Sequence, residues 1–296
     1  MNRLFCVNAK RYDEKQDFDV FWPASLNKPK NNAVMFVNEK NVHRIDVLET
    51  VQECIIYYPV GCLIPNIVME KNVLIESEDP RTSYCLFFRE NSISNLPIFE
   101  NYVNKGGALI AENASIGDDT VIMPFAYIGG EVIVGSNCYI GCGTKLVGKI
   151  KIGDNVIIRE NTVIGADGLS TDRDFEGKAA TMPQFGGVLI ENDVQIGANC
   201  VIARGAIDDT EIKRGSKIDN STFISHNVIV GDDTFIVGET IMFGGSSTGK
   251  QAFISGNSTI RNKVSIGDKA IIGMGSVVVK NVDSGSIVLG NPARVK

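Results

Sequence analysis

Histidine is almost absent from this chain: His43 and His226 are the only two in 296 residues. That scarcity excludes a zinc centre built on three imidazoles. Trp22 is the sole tryptophan, and most of the aromatics sit before residue 105. No apolar run approaches the roughly 20 residues of a membrane-spanning helix. The opening residues turn charged too soon for a secretory leader, so the chain reads as cytoplasmic, with no stable membrane insertion. A formal net charge of −6 argues against nucleic acid as a partner, although local basic groups can still hold small anions. Seven cysteines form an odd set without metal-ligand spacing and read as reduced and structural. Residues 1–105 contain no glycine-rich phosphate loop, which argues against a nucleotidyltransferase.

What the chain has instead is a period. An aliphatic residue returns every sixth position at Ile110, Ile116, Ile122, Ile128, Val134, Ile140, Leu146, Ile152, Ile158 and Ile164. The period resumes at Ile190, Ile196 and Ile202, and again at Ile212, Ile218, Ile224, Val230, Ile236 and Met242. Thr248 interrupts it once before Ile254, Ile260, Ile266, Ile272 and Val278. Six is a multiple of the strand period of two and matches no helix period, so these side chains point the same way from short strands. Small residues such as Thr120, Cys138, Cys200 and Ser258 follow the anchors by four and fit inside corners. Gly-Asp and Asp-Asn pairs between strands supply the turns. The pattern is that of a hexapeptide-repeat parallel β-helix, covering residues 106–296. Residues 1–105 lack the period and read as a small α/β domain, with the joint near residues 101–107.

The repeat breaks twice. Between Ile164 and Ile190 an out-of-phase stretch carries Asp167-Gly168-Leu169-Ser170 and Met182-Pro183-Gln184-Phe185, and a smaller bulge spans Arg204-Gly205-Ala206-Ile207-Asp208-Asp209. Insertions of this kind often build the binding face of a solenoid. His43 reads as a surface residue. His226 follows its anchor by two and points outward near a corner, and Gly244, one coil of three hexapeptides later, stands above it. A base beside an amide unobstructed by a side chain is what acyl transfer needs. Asp219 and Asp208 are the candidate carboxylates for orienting the imidazole.

These blocks point to a family. Val163-Ile164-Gly165-Ala166-Asp167-Gly168, Pro183-Gln184, Arg204-Gly205-Ala206-Ile207-Asp208-Asp209-Thr210, Ile218-Asp219-Asn220 and Ile224-Ser225-His226-Asn227-Val228 resemble the UDP-3-O-acylglucosamine N-acyltransferases of the lipid A pathway. The resemblance implies a left-handed winding. It also implies that His226 is the general base, that Gly244 gives the oxyanion N–H, and that Asn220, beside Asp219, lies in the site. Met35-Phe36-Val37-Asn38 resembles that family's uridine-binding stretch, which puts Phe36 on uracil with Asn38 nearby; a second stacking aromatic is missing. Lys263 stands where the family has a second active-site histidine, and the family's helical tail for acyl carrier protein does not follow. The last coils, from Ile272-Gly273-Met274-Gly275 through Lys280 to Arg294, are similar to hexapeptide acetyltransferases in which this region lies along acetyl-CoA. Gly273, Gly275, Lys280 and Arg294 are the residues so implied for the coenzyme.

The resulting expectation is an N-acyltransferase moving a short acyl group from acyl-CoA to a UDP- or dTDP-linked amino sugar for surface polysaccharide such as O-antigen. No resident cofactor or metal is expected, and the families resembled are homotrimers. One alternative is an acyl-carrier-protein-dependent UDP-3-O-acylglucosamine N-acyltransferase of lipopolysaccharide synthesis. A second is a non-catalytic sugar-nucleotide-binding β-helix.

Overall fold

The computed structural model describes residues 3–96 and 100–296. By contacts the chain divides into Met1–Leu96 with Leu169–Phe185, and Pro97–Gly168 with Gly186–Lys296. This division departs from the sequence reading at two places. Strand Tyr102–Lys105, assigned above to the first domain, pairs antiparallel with Ala108–Ala111 and so begins the β-helix sheet. The long interruption of the repeat groups with the N-terminal unit, because its hairpin (Thr171–Arg173 with Ala179–Thr181) is ion-paired to helix Pro80–Glu90. Arg81 meets Asp172 there, and Arg89 meets Asp174 at 3.0 Å.

The larger unit is a left-handed parallel β-helix with three sheets as faces. The first face runs from Val121–Ile122 through Lys217–Ile218 to Ile271–Ile272, the second from Ala108–Ala111 through Phe223–Ile224 to Val277–Val278, and the third from Ser115–Ile116 through Ile229–Val230 to Ser265–Ile266. Within each face the anchors stack in register, as Ile224 under Met242 and Ile218 under Ile236 show. Nearly all are fully buried in one continuous core. Each contributes roughly 1.5–3 kcal/mol on burial, which offsets the ordering cost of a glycine-rich chain.

Two local solutions explain the repeat's departures from pure aliphatic. Thr248 is buried, and its hydroxyl accepts from Gly231 N–H at 2.9 Å, taking the place of a ladder carbonyl. At the corners, Thr144, Ser216 and Thr234 donate to the carbonyls of Arg159, Gly231 and Gly249 in the next coil at 2.7–3.0 Å. The thiols of Cys138 and Cys200 donate likewise to Gly153 and Asp219 at 3.2 Å. Burial pushes both thiols above the ordinary cysteine range, so neither is a ready nucleophile. Asn and Asp occupy left-handed corner positions such as Asn137, Asn155, Asn199, Asn227 and Asp233, where their short polar side chains make that backbone tolerable.

The N-terminal unit carries a four-stranded parallel sheet of Trp22–Pro23, Ala33–Phe36, Ile55–Pro59 and Val73–Ser77, in that order. Helix Pro80–Glu90 buries Tyr84, Phe87 and Phe88, and Asp79 caps it by accepting from the Arg81 and Thr82 amides. Among the described residues no helix is long and apolar enough to cross a membrane.

Candidate active site

The second-face anchors Ile202, Ile224, Met242, Ile260 and Val278 lie in one column. Two residues beyond each, at the corner leading to the third face, come Arg204, His226, Gly244, Asn262 and Lys280 in rising order. The imidazole of His226 is half-buried. Gly244 sits against its tip: a methyl built on Gly244 would fall 2.6 Å from His226 Nε2 and 2.7 Å from Cε1. Only glycine leaves the ring in place. Among the described residues the Gly244 N–H donates to no backbone carbonyl, while its own carbonyl accepts from Lys263 N at 3.1 Å. The structure therefore brings His226 and Gly244 together.

An amide oxygen meets the imidazole at Nδ1. His226 Nδ1 lies 3.1 Å from Asn227 Oδ1. The orientation of that amide is fixed by two other bonds, since Asn227 Nδ2 donates to the Asp208 carbonyl at 2.7 Å and Oδ1 accepts from Ala206 N at 3.0 Å. An oxygen at that position can only accept, so Nδ1 carries the proton and Nε2 the lone pair. Of the two carboxylate residues considered above, Asp208 lies beside this arrangement and Asp219 lies on another corner. Asp208 reaches the arrangement through its backbone oxygen, and Asp219 caps the Asn220 and Gly238 amides at 2.8 and 3.2 Å on another corner. The bulge that obscured the register in sequence is the segment Asn227 holds.

Arg204, one coil below His226, is a side chain that the sequence placed only in a motif. Its Nε donates to the Gly186 carbonyl at 2.7 Å, and Nη1 lies 4.0 Å from Asp167. It is 12% exposed, and burial draws its pKa down against the opposing pull of Asp167. It holds the points where the chain leaves and re-enters the β-helix. Lys263 is exposed, with its Cγ against Gly245.

The other sequence candidates lie elsewhere. Asn220 is at the corner between the first and second faces, a whole strand from His226 in the same chain, and its Oδ1 accepts from Ala198 N at 2.7 Å. It lines a concavity with Arg159, Lys217, Asp219, Phe235 and Phe253. Gly273 and Gly275 are three coils above that corner, whereas Lys280 is three coils above His226 and Arg294 is exposed in the final antiparallel strand. The coenzyme set is thus split over two corners of one chain. Phe36 and Asn38, in the N-terminal unit, sit at the carboxyl end of strand Ala33–Phe36, where parallel sheets bind ligands. The Phe36 ring is half-buried, 4.9 Å from that of Tyr84, and Asn38 Oδ1 is buried without a partner among the described residues.

The bacterial transferase hexapeptide model (six repeats) matches residues 113–148 and 131–166. The repeat matches the hexapeptide type over this span. The chain is 43% identical over 174 residues to a UDP-3-O-acylglucosamine N-acyltransferase of Helicobacter hepaticus, covering 59% of this chain and 53% of the relative. It is 50% identical over 76 residues to a protein of the same name from Francisella tularensis subsp. holarctica, covering 26% of this chain and 23% of the relative. The chain thus spans about half the length, or less, of these curated relatives. Two solved structures share the fold. A UDP-N-acetylglucosamine acyltransferase from Campylobacter jejuni has a TM-score of 0.58 and 22% identity, over 65% of this chain and 73% of its own. One from Bacteroides fragilis 9343 has 0.59 and 23%, over 66% and 74%.

Proposed function

We propose that this protein is an N-acyltransferase acting on a UDP-linked amino sugar, of the UDP-3-O-acylglucosamine kind, in the cytoplasm. The observation that carries the reading is the seat of the Gly244 backbone on a His226 ring whose Nε2 holds the lone pair. The names of the relatives favour this acceptor over the dTDP-sugar and short-acyl expectation. With that acceptor, the donor is an acyl thioester of acyl carrier protein. Phe36 and Asn38 would meet the uracil: the ring face stacks on the base, and the buried amide oxygen, which has no donor among the described residues, takes a base N–H.

In the mechanism, the sugar amine attacks the thioester carbonyl as His226 Nε2 takes its proton. Charge gathers on the carbonyl oxygen, which the Gly244 N–H receives. The C–S bond then breaks as the amide completes, and the thiolate is reprotonated from the imidazolium. Asn227 keeps Nδ1–H satisfied throughout, so the ring cannot present the wrong nitrogen.

We infer a homotrimer whose sites draw on two corners. If Asn220 and His226 serve one site, a neighbouring copy brings its first corner to this chain's second, and the donor residues on both corners then line one channel. The deciding assay is thiol release with UDP-3-O-acylglucosamine and acyl-acyl carrier protein. Turnover is expected there; silence with that pair and turnover with acetyl-CoA on other amino-sugar nucleotides would return the reading to a short-chain acetyltransferase.

A further inference from the structure

Two glycines touch His226, one at the tip of the ring and one at its root. Gly244 meets Nε2 and Cε1. Gly168 lies at the other end, where an added methyl would fall 2.9 Å from His226 Cβ, 3.0 Å from Cδ2 and 3.2 Å from Cγ. The three nearest atoms all belong to His226. Gly168 is not in the left-handed backbone region, so the nearest obstacle to an alanine there is the His226 side chain and not a left-handed φ. Gly165, three residues earlier, is the opposite case: its φ is +88° and a methyl would fall 2.0 Å from the Val147 carbonyl oxygen, so the backbone itself requires glycine.

The root of a side chain has less freedom than its tip. Cβ is fixed by the backbone of the coil, and Nδ1 is tied to Asn227. Intrusion at Cδ2 and Cγ turns the ring, and intrusion at Cβ, which no side-chain rotation moves, displaces the backbone that carries it; either carries Nε2 away from the Gly244 amide. Gly168 is also the last β-helix residue before the chain departs into Leu169–Phe185, so its place is set by chain geometry and by the Arg204 anchor beside Asp167.

We propose that Gly168 is a positioning residue for the base: its bare backbone is the stop that sets the imidazole's rotation, a constraint separate from the oxyanion role of Gly244. The inference rests on the reading of His226 as the base. Gly168→Ala is expected to lower kcat at least about tenfold with KM for both substrates held within about twofold. In the double variant Gly168→Ala/His226→Ala the first change adds nothing to the second, because both act through one ring. The chain's two histidines make the spectroscopic arm clean: with ring-labelled histidine, the His226 signals move in Gly168→Ala and the His43 signals stay. In the unaltered protein a Gly168 Hα to His226 Hδ2 Overhauser contact is expected, which keeps the test open if the variant does not fold. Wild-type kcat in Gly168→Ala, additive losses in the double variant, or absence of the Overhauser contact would overturn the assignment. Absence of acyl transfer by the unaltered protein would instead sink the proposed activity, while the magnetic resonance arm still judged the contact.

Discussion

Two corners of the same prism are built from the same hexapeptide, yet they differ in one respect. At the Asn220 corner the chain turns from first to second face without interruption in every coil, and Asn220 and Asp219 are spent on capping neighbouring amides. At the His226 corner the repeat is broken twice: the excursion after Val163–Ile164 and the bulge after Val201–Ile202 both leave from it. Gly168, Asn227 and Arg204 all belong to those breaks or hold them. Regular repeats supply a rigid frame, and the irregular corner supplies the groups that aim a side chain. The difference is sharpest at equivalent glycines, since a methyl on Gly238 would meet Asn220 O at 3.0 Å and Asp219 Oδ2 at 3.2 Å, whereas one on Gly244 would strike the His226 ring.

That contrast can be broken by substitution. His226→Ala should lower kcat roughly 100-fold or more, by loss of the base, with the melting temperature little changed. Thiol release and a thermal melt measure both. Gly244→Ala should cost about ten- to hundredfold in kcat, whereas Gly238→Ala, the matched change on the other corner, should stay within a few fold. Equal effects would erase the distinction drawn between corners. Asn227→Ala should reduce kcat about tenfold and stability by about 1–2 kcal/mol, since it frees the ring and abandons the bonds to the bulge; stopped kinetics with denaturant melts separates the two losses. Asn220→Ala should raise KM for the acceptor several-fold. Co-refolding it with His226→Ala should recover activity above either alone if a site draws on two chains, while strictly additive inactivity would argue for sites within one chain. The smallest effect concerns thiols: because burial raises Cys138 and Cys200, they hold less thiolate at any given pH, and alkylation near pH 8 should mark the exposed Cys6 and leave them untouched.

The β-helix was legible because its stabilising contacts are periodic. Each anchor packs on the residue one coil away, so the pattern of burial is written directly into spacing. The stacking of Gly244 over His226 could be read by the same arithmetic, since no insertion intervenes between Ile224 and Met242. What stayed hidden depends on the breaks. The Asn227 amide is held by the bulge, through the Ala206 amide and the Asp208 carbonyl, and Gly168 meets the imidazole where the repeat breaks; no period specifies either. The sequence signal for Asn227 is its adjacency to the lone histidine of the β-helix. The excursion reads in sequence as an insertion that builds a binding face, and its Asp172 and Asp174 pair with Arg81 and Arg89 on a helix far away in sequence, which local patterns do not carry.

The most direct test of the account is the protonation pattern of His226 in its neutral form, read from the nitrogen-15 shifts of the ring. Because Asn227 accepts from Nδ1–H, the expected result is a protonated Nδ1 and an unprotonated Nε2 facing Gly244. A spectrum showing Nε2 protonated and Nδ1 bare would leave the amine without its acceptor at this corner and contradict the mechanism.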